Sequence, residues 1–445
     1  MKTAIGISFL ATAIASVGAV PIWGQCGGIG WTGSTACDSG LKCVVCQTVT
    51  ATTTTPVTTS TPTTTVRPTT STTQGGSPTN CPALPATFPN GASLPVTATL
   101  PDPWTFYGGS KVTSKSQWAC RKAELFKLLQ EYMYGYYPDH SQETVTATRN
   151  GNTLSISVSA GGKTGTFSAT ITLPTTGQAP YPVVITPGSV DNNAFLSQGV
   201  ALVSFSVTAV AADSASKTGA FWSVYNGRNI GVLTAWAWGY HRVLDAIILR
   251  VPEIDTSRVG VTGCSRYGKG ALAAGLFDER ITLTLAMSPG LEGVGPWRFF
   301  YESGGANEKI ENIWGYAPWW VSTRIGEFVN DARKLPFDAH SIAAVIAPRA
   351  LIWDVGTSDY WTNPEGESAV TFPAAKAVYN WLGASGQVGL ATRSGGHCDN
   401  AGFTNVQGFM NKIFFGKTPS KNYDSTSPYT AHTETHPWAS SPPPA

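Results

Sequence analysis

Residues 48–80, TVTATTTTPVTTSTPTTTVRPTTSTTQGGSPTN, are almost wholly Thr, Pro, Ser and Gly. Such a run cannot bury enough apolar surface to offset the entropy of ordering it, so it cannot belong to a packed domain. It predicts an extended, disordered linker, O-glycosylated if the chain is exported. The chain is thereby divided into a short N-terminal piece and a large C-terminal one, each of which must fold on its own residues.

The first residues, MKTAIGISFLATAIASVGA, carry one early lysine, an apolar stretch too short to span a bilayer, and small residues Val17 and Ala19 at a cleavable spacing. Residues 1–19 therefore read as a secretory signal peptide, and a secreted, extracellular protein with no membrane partner is expected. Eight cysteines in an exported chain favour disulfides over thiols or a metal site. Cys26, Cys37, Cys43 and Cys46 crowd into residues 20–47, a segment so small that only a disulfide-stapled knot could fold there. The net charge of +2, without a basic block, excludes the electrostatic footprint of a nucleic-acid binder. Fifteen tryptophans and few charges suit work on a neutral polymer such as carbohydrate. No metal and no organic cofactor is implied.

Residues 81–430 alternate short β-branched runs with helical ones. PYPVVITPG (180–188), GVALVSFSV (199–207), RVGVTG (258–263), ITLTLAMS (281–288), RALIWDVG (349–356) and VGLATRSGG (388–396) predict buried parallel strands. NIGVLTAWAWGYHRVLDAIIL (229–249) and AAKAVYNWLG (374–383) carry apolar residues at helical spacing. This is an α/β sandwich pattern. The polar residues 431–445 are expected to form a disordered tail.

Within it, RVGVTG runs into GCSRYGKGALAAGLF, a strand, a sharp turn and a helix. Small residues let the chain turn tightly and present Ser265 at a helix N-terminus, where developing negative charge is favoured. Such a serine needs a histidine base. Of the six histidines, His397 alone follows the last predicted strand, in SGGHCDN; the others fall on a turn, on helices or in the tail.

The run GCSRYGKG resembles the signature of the glucuronoyl esterases, a family of α/β-hydrolases with a three-layer sandwich. LPDPW, QWACRKAEL, AWAWGYHR, LPFDAH, APRALI and GGHC follow in the family's order across residues 81–430. The resemblance implies Ser265 as nucleophile, His397 as base, and a bridge from Cys264 to Cys398 as in fungal members, leaving Cys81 and Cys120 for each other. Closing so long a loop would contribute about 4 to 5 kcal/mol on the chain-entropy account. Fungal relatives carry the acid in a Q-E-S-G stretch nine residues before a tryptophan; counted back from Trp297, that place is Ser288. Asp359, after the strand that delivers the acid in α/β-hydrolases, is the substitute, with Glu292 second and Asp354, Glu365 and Glu367 open. Arg266 matches the family's oxyanion residue, and Lys269 and Trp361 match its sugar contacts. A further sugar contact is placed at Glu308, with Glu311 open.

WGQCGGIGW likewise resembles the start of the fungal cellulose-binding module, in which Trp23 would stack on glucose. The family's two further stacking aromatics lie between its last two cysteines, where this chain has only Val44 and Val45. The expectation is a secreted monomeric serine esterase acting on 4-O-methyl-glucuronoyl esters of glucuronoxylan, including its lignin esters, with cellulose as a second partner. An acetyl xylan or feruloyl esterase, and a non-catalytic carbohydrate binder, are the alternatives.

Overall fold

The computed structural model describes residues 81–301 and 308–444, so the expected leader, cysteine knot with Trp23 and linker lie outside the described residues. Nine strands form one sheet in the order β1-β2-β3-β5-β4-β6-β7-β8-β9. They are β1 Thr144–Asn150, β2 Thr153–Ala160, β3 Lys163–Thr172, β4 Tyr181–Thr186, β5 Ala201–Phe205, β6 Ile254–Cys264, β7 Leu283–Met287, β8 Ala350–Gly356 and β9 Val388–Arg393. β4 to β9 pair in parallel and correspond to the six predicted runs.

Both faces of the parallel strands are covered, which is why they read as continuous apolar runs. Along β8, Leu351, Trp353 and Val355 enter the core on one face, while Ala350 and Ile352 enter a second core on the other. Helices α1 (Val232–Arg250) and α2 (Arg266–Phe277) pack into the first core, and α3 (Gln407–Phe415) into the second. The result is the expected three-layer α/β-hydrolase sandwich. α1 is buried around nearly its whole circumference, including Trp236 and Trp238, as befits a core helix. Its one deeply buried arginine, Arg242, is paired with Glu143 and Asp245.

β1 to β3 form an antiparallel meander added beside β5. In β2 and β3 buried positions alternate with Ser, Thr and Lys facing outward, so one face is wet. In the middle of the sheet strand order reverses around β4, with β5 on one side and β6 on the other. That reversal opens a crevice beyond the carboxyl ends of the parallel strands, the place where open α/β sheets bind ligands.

The C-terminal run expected to be disordered is instead docked. Residues Thr433–Thr435 and Pro437–Ser440 form short helical turns. Thr435 accepts a bond from Leu100 N–H at 2.8 Å, and the Trp438 indole donates to Leu100 O at 2.9 Å. Trp438 meets Trp104 edge to face at 5.3 Å and stacks on His340 at 5.4 Å. With His432 N–H donating to Ala369 O at 2.9 Å and the Trp381 indole to Pro443 O at 2.8 Å, these contacts fix a segment whose composition is polar. Trp438→Ala is expected to lower unfolding free energy by about 2 to 3 kcal/mol, read from the urea midpoint; an unchanged midpoint would mean the tail contributes nothing.

Candidate active site

β6 ends at Cys264, and α2 begins at Arg266. Between them Ser265 takes φ 59° and ψ −130°, a conformation L-residues rarely adopt. Its N–H donates to Met287 O at 2.9 Å, tying the turn to the end of β7. The flanking glycines are sterically required. A Cβ on Gly263 would lie 2.5 Å from Tyr267 O, and one on Gly268 2.9 Å from Met287 O. Hence Gly268 is needed even though Arg266 and Tyr267 separate it from Ser265.

His397 follows β9 and Asp359 follows β8. His397 Nδ1 and Asp359 Oδ2 are 2.7 Å apart. The other carboxylate oxygen accepts from the N–H groups of Trp361 at 2.9 Å and Thr362 at 3.3 Å. Burial alone would raise the Asp359 pKa, but the bond and charge of His397, with those two N–H groups, hold it below the usual value. The carboxylate is therefore ionised and fixed in direction, able to orient one imidazole tautomer.

The histidine loop is fastened from two sides. Cys264 and Cys398, the neighbours of Ser265 and His397, are disulfide-bonded with Cα atoms 5.7 Å apart. From β9, Arg393 bonds Gly396 O and Asp399 Oδ2, each at 3.0 Å, and is rooted on buried Asp354 at 3.0 Å. The second expected bridge, Cys81 to Cys120, is also present.

Other acids left open by the sequence go elsewhere. Asp354 serves Arg393 and Asn405, and Glu365 bonds His432. Glu292 and Glu367 are buried, Glu292 with one oxygen and Glu367 with both lacking a hydrogen-bond partner. None of these four is bonded to His397. Ser288, where fungal relatives have the acid, is buried at φ 41°, its hydroxyl unpartnered.

Ser265 and His397 line one cavity of about 440 Å³, together with Arg266, Asp213, Glu308 and Trp361. Trp361 is 56% exposed at its mouth, with Tyr360 edge to face against it at 5.3 Å. Lys269, expected as a sugar contact, lies behind the cavity wall and is not part of its lining. It is 1% exposed, bonded to Leu291 O and, at 2.8 Å, to Glu308 Oε2. Glu308 is thus the member of that pair that forms cavity wall, while Glu311 is not part of the lining. Asp213 was not marked by sequence, because a lone aspartate in the polar run AADSASK carries no motif. The indoles of Trp319 and Trp320, both donating to Asp213 Oδ1, were equally unmarked.

Comparison with known proteins agrees with this geometry. A family model of fungal glucuronyl esterases matches residues 156–383, and one of the fungal cellulose binding domain matches residues 22–47. The 4-O-methyl-glucuronoyl methylesterase of Hypocrea jecorina is 39% identical over 429 residues, 89% of this chain and 90% of that protein. A carbohydrate esterase family 15 glucuronoyl esterase from Caldicellulosiruptor kristjansonii superposes with TM-score 0.71 at 38% identity, covering 74% of this chain and 94% of the other. A serine-to-alanine mutant of the Sporotrichum thermophile glucuronoyl esterase, solved with methyl 4-O-methyl-beta-D-glucopyranuronate, superposes at TM-score 0.70 and 30% identity, covering 79% and 96%. The family model spans more than half of the chain, the Hypocrea relative is 39% identical over 89% of it, and this chain belongs to the glucuronoyl esterase family.

Proposed function

We propose that the chain is a secreted serine hydrolase of 4-O-methyl-glucuronoyl esters on glucuronoxylan, including those to lignin alcohols, with Ser265, His397 and Asp359 as its catalytic residues. The observation that carries this reading is the 2.7 Å bond between His397 and Asp359 beside Ser265, on the ends of three parallel strands. The bound methyl uronate in the Sporotrichum relative supports the choice of ester. The match at residues 22–47 supports cellulose as the anchoring surface, with Trp23 stacking on it.

In the proposed reaction Ser265 Oγ attacks the uronate carbonyl carbon as its proton passes to His397 Nε2. Arg266, through its backbone N–H at the start of α2 and its guanidinium, holds the tetrahedral oxyanion. Collapse expels the alcohol, which takes the proton from His397. Water, deprotonated by the same imidazole, then attacks the acyl-enzyme and frees the uronic acid and Ser265. Asp359 stabilises the imidazolium in each half without itself being protonated. Glu308 and Trp361, on the cavity wall, are placed to meet sugar hydroxyls and the sugar face.

Purified protein should hydrolyse methyl and benzyl glucuronate esters, and Ser265→Ala should abolish turnover. Asp359→Asn should lower kcat by about 10³-fold or more, as expected when a triad carboxylate is neutralised, while Glu292→Gln should retain wild-type turnover. The opposite ranking of these two variants would reassign the acid.

Burial pushes the Glu292 carboxyl up to about 8, Lys269 opposing and Glu308 adding to it. Its folded value thus lies above its unfolded one. The proton it keeps stabilises the fold fully below the ordinary value of 4.5, and that stabilisation is lost as pH rises through 8. Glu292→Gln should therefore raise the melting temperature at pH 9 relative to wild type and leave it little changed at pH 5. Parallel pH profiles in thermal unfolding would refute an ionising Glu292.

A further inference from the structure

Arg266 on the cavity wall and Lys269 behind it are each matched by a carboxylate. Arg266 Nε lies 3.0 Å from Asp213 Oδ2, and Lys269 Nζ lies 2.8 Å from Glu308 Oε2. The Asp213 carboxylate is anchored independently of Arg266. Its other oxygen accepts the indole N–H groups of Trp319 at 3.0 Å and Trp320 at 2.7 Å. Those two tryptophans in turn receive the Val232 and Leu233 N–H groups at the start of α1 through their carbonyls, at 2.9 and 3.0 Å. Two indole donors thus hold this aspartate against an arginine that is itself 45% exposed.

Such an arrangement is at first sight unhelpful, because a negative charge beside Arg266 weakens its hold on an oxyanion. The charge balance of the reaction supplies a reason for it. Hydrolysis takes an ester that is neutral at its carbonyl, adds water, and yields an alcohol, a proton and a uronate ionised at neutral pH. An unpaired guanidinium beside Ser265 would grip that carboxylate by charge-assisted bonds it cannot make to the ester, and would retain product. The transition-state oxyanion is less dependent on the guanidinium, since it is tethered to Ser265 and also meets a backbone N–H at a helix N-terminus. Product, once released from the serine, has neither tether.

We propose that Asp213 is a specificity-determining residue that neutralises Arg266, so that the cavity prefers the neutral uronate ester over the uronate anion and lets the acid product leave. The inference rests on the functional reading above and goes beyond it in assigning the discrimination to one side chain. A second consequence follows. With Asp213 present, the affinity for product should depend only weakly on ionic strength, whereas an unpaired Arg266 would give a product affinity that salt erodes.

The test is competitive inhibition of methyl glucuronate hydrolysis by glucuronate in wild type and Asp213→Asn. For a half-exposed pair in high dielectric, the ratio of product inhibition constant to ester KM should fall about tenfold in the variant. KM for the ester should stay within about twofold, since the ester carries no charge for the unpaired arginine to attract. The gain should shrink at high salt and disappear in an Arg266→Met background. Asp424→Asn, which removes the same charge from the remote Lys376 pair, should leave the ratio unchanged. Asp213→Ser, which keeps an acceptor for the indoles, provides a second variant should Asp213→Asn fold poorly.

An unmoved ratio, or ester and acid affinities that change together, would overturn the proposal and leave the esterase reading intact. A wild type inert toward the ester would remove both.

Discussion

The proposed chemistry depends on keeping two distant pieces of chain in register: the strained turn at Ser265 and the loop carrying His397. A single hydrogen bond could not do this. The imidazole is aimed by Asp359 from the end of β8, while its loop is held by the disulfide to Cys264 and by Arg393 from β9. Each fastening comes from a different strand, so loss of position would require several elements of the sheet to move together. Misplacement by about 1 Å is enough to cost an enzyme two orders of magnitude, and the redundancy fits that sensitivity. The price is backbone strain at Ser265, which the N–H bond to Met287 and the glycines at 263 and 268 make tolerable.

Beneath the cavity lies a group of carboxyls whose charge states differ by surroundings. Glu308 faces the ammonium of Lys269, and Asp359 faces His397. Glu367, fully enclosed and repelled first by burial and then by Asp359, is pushed well above the ordinary carboxylate range, and Glu292 is raised for similar reasons. Two acids are thus kept neutral, Glu308 is balanced by an ammonium and Asp359 is hydrogen-bonded to His397, so little net charge accumulates around the cavity. Neutral carboxyls at these depths cost less than buried ions would.

How much of this could be read in advance depended on local physics. β4 to β9 were legible because burial on both faces leaves an unbroken apolar run, and the Ser265 turn because its steric demands impose glycines. The meander β1 to β3 was not, since one wet face fills it with Ser and Thr, so that Thr144–Asn150 resembles loop composition. The tail misled for a related reason: mean polarity hid Trp438, whose indole helps seat it. Lys269 showed the limit of motif reading. Its place in the helix was plain, but its pairing with Glu308 joins residues 39 apart in sequence. Asp213 had no signature because its role comes wholly from three side chains brought to it by folding.

The proposed placement of the acid at Asp359 has an electrostatic logic. Ser288 follows β7 and Asp359 follows β8, and these strands are neighbours, with Met287 opposite Asp354. An acid at 288 would introduce a further carboxylate into a region that already forces Glu367 and Glu292 to hold their protons. Carboxylates that share a site raise one another's pKa, and the one that binds a proton loses its hold on the imidazolium. A neutral side chain at 288 leaves Asp359 as the ionised partner of His397, kept so by two backbone N–H groups that no protonation event can remove. Serine at 288 is then part of the condition under which the later acid can work.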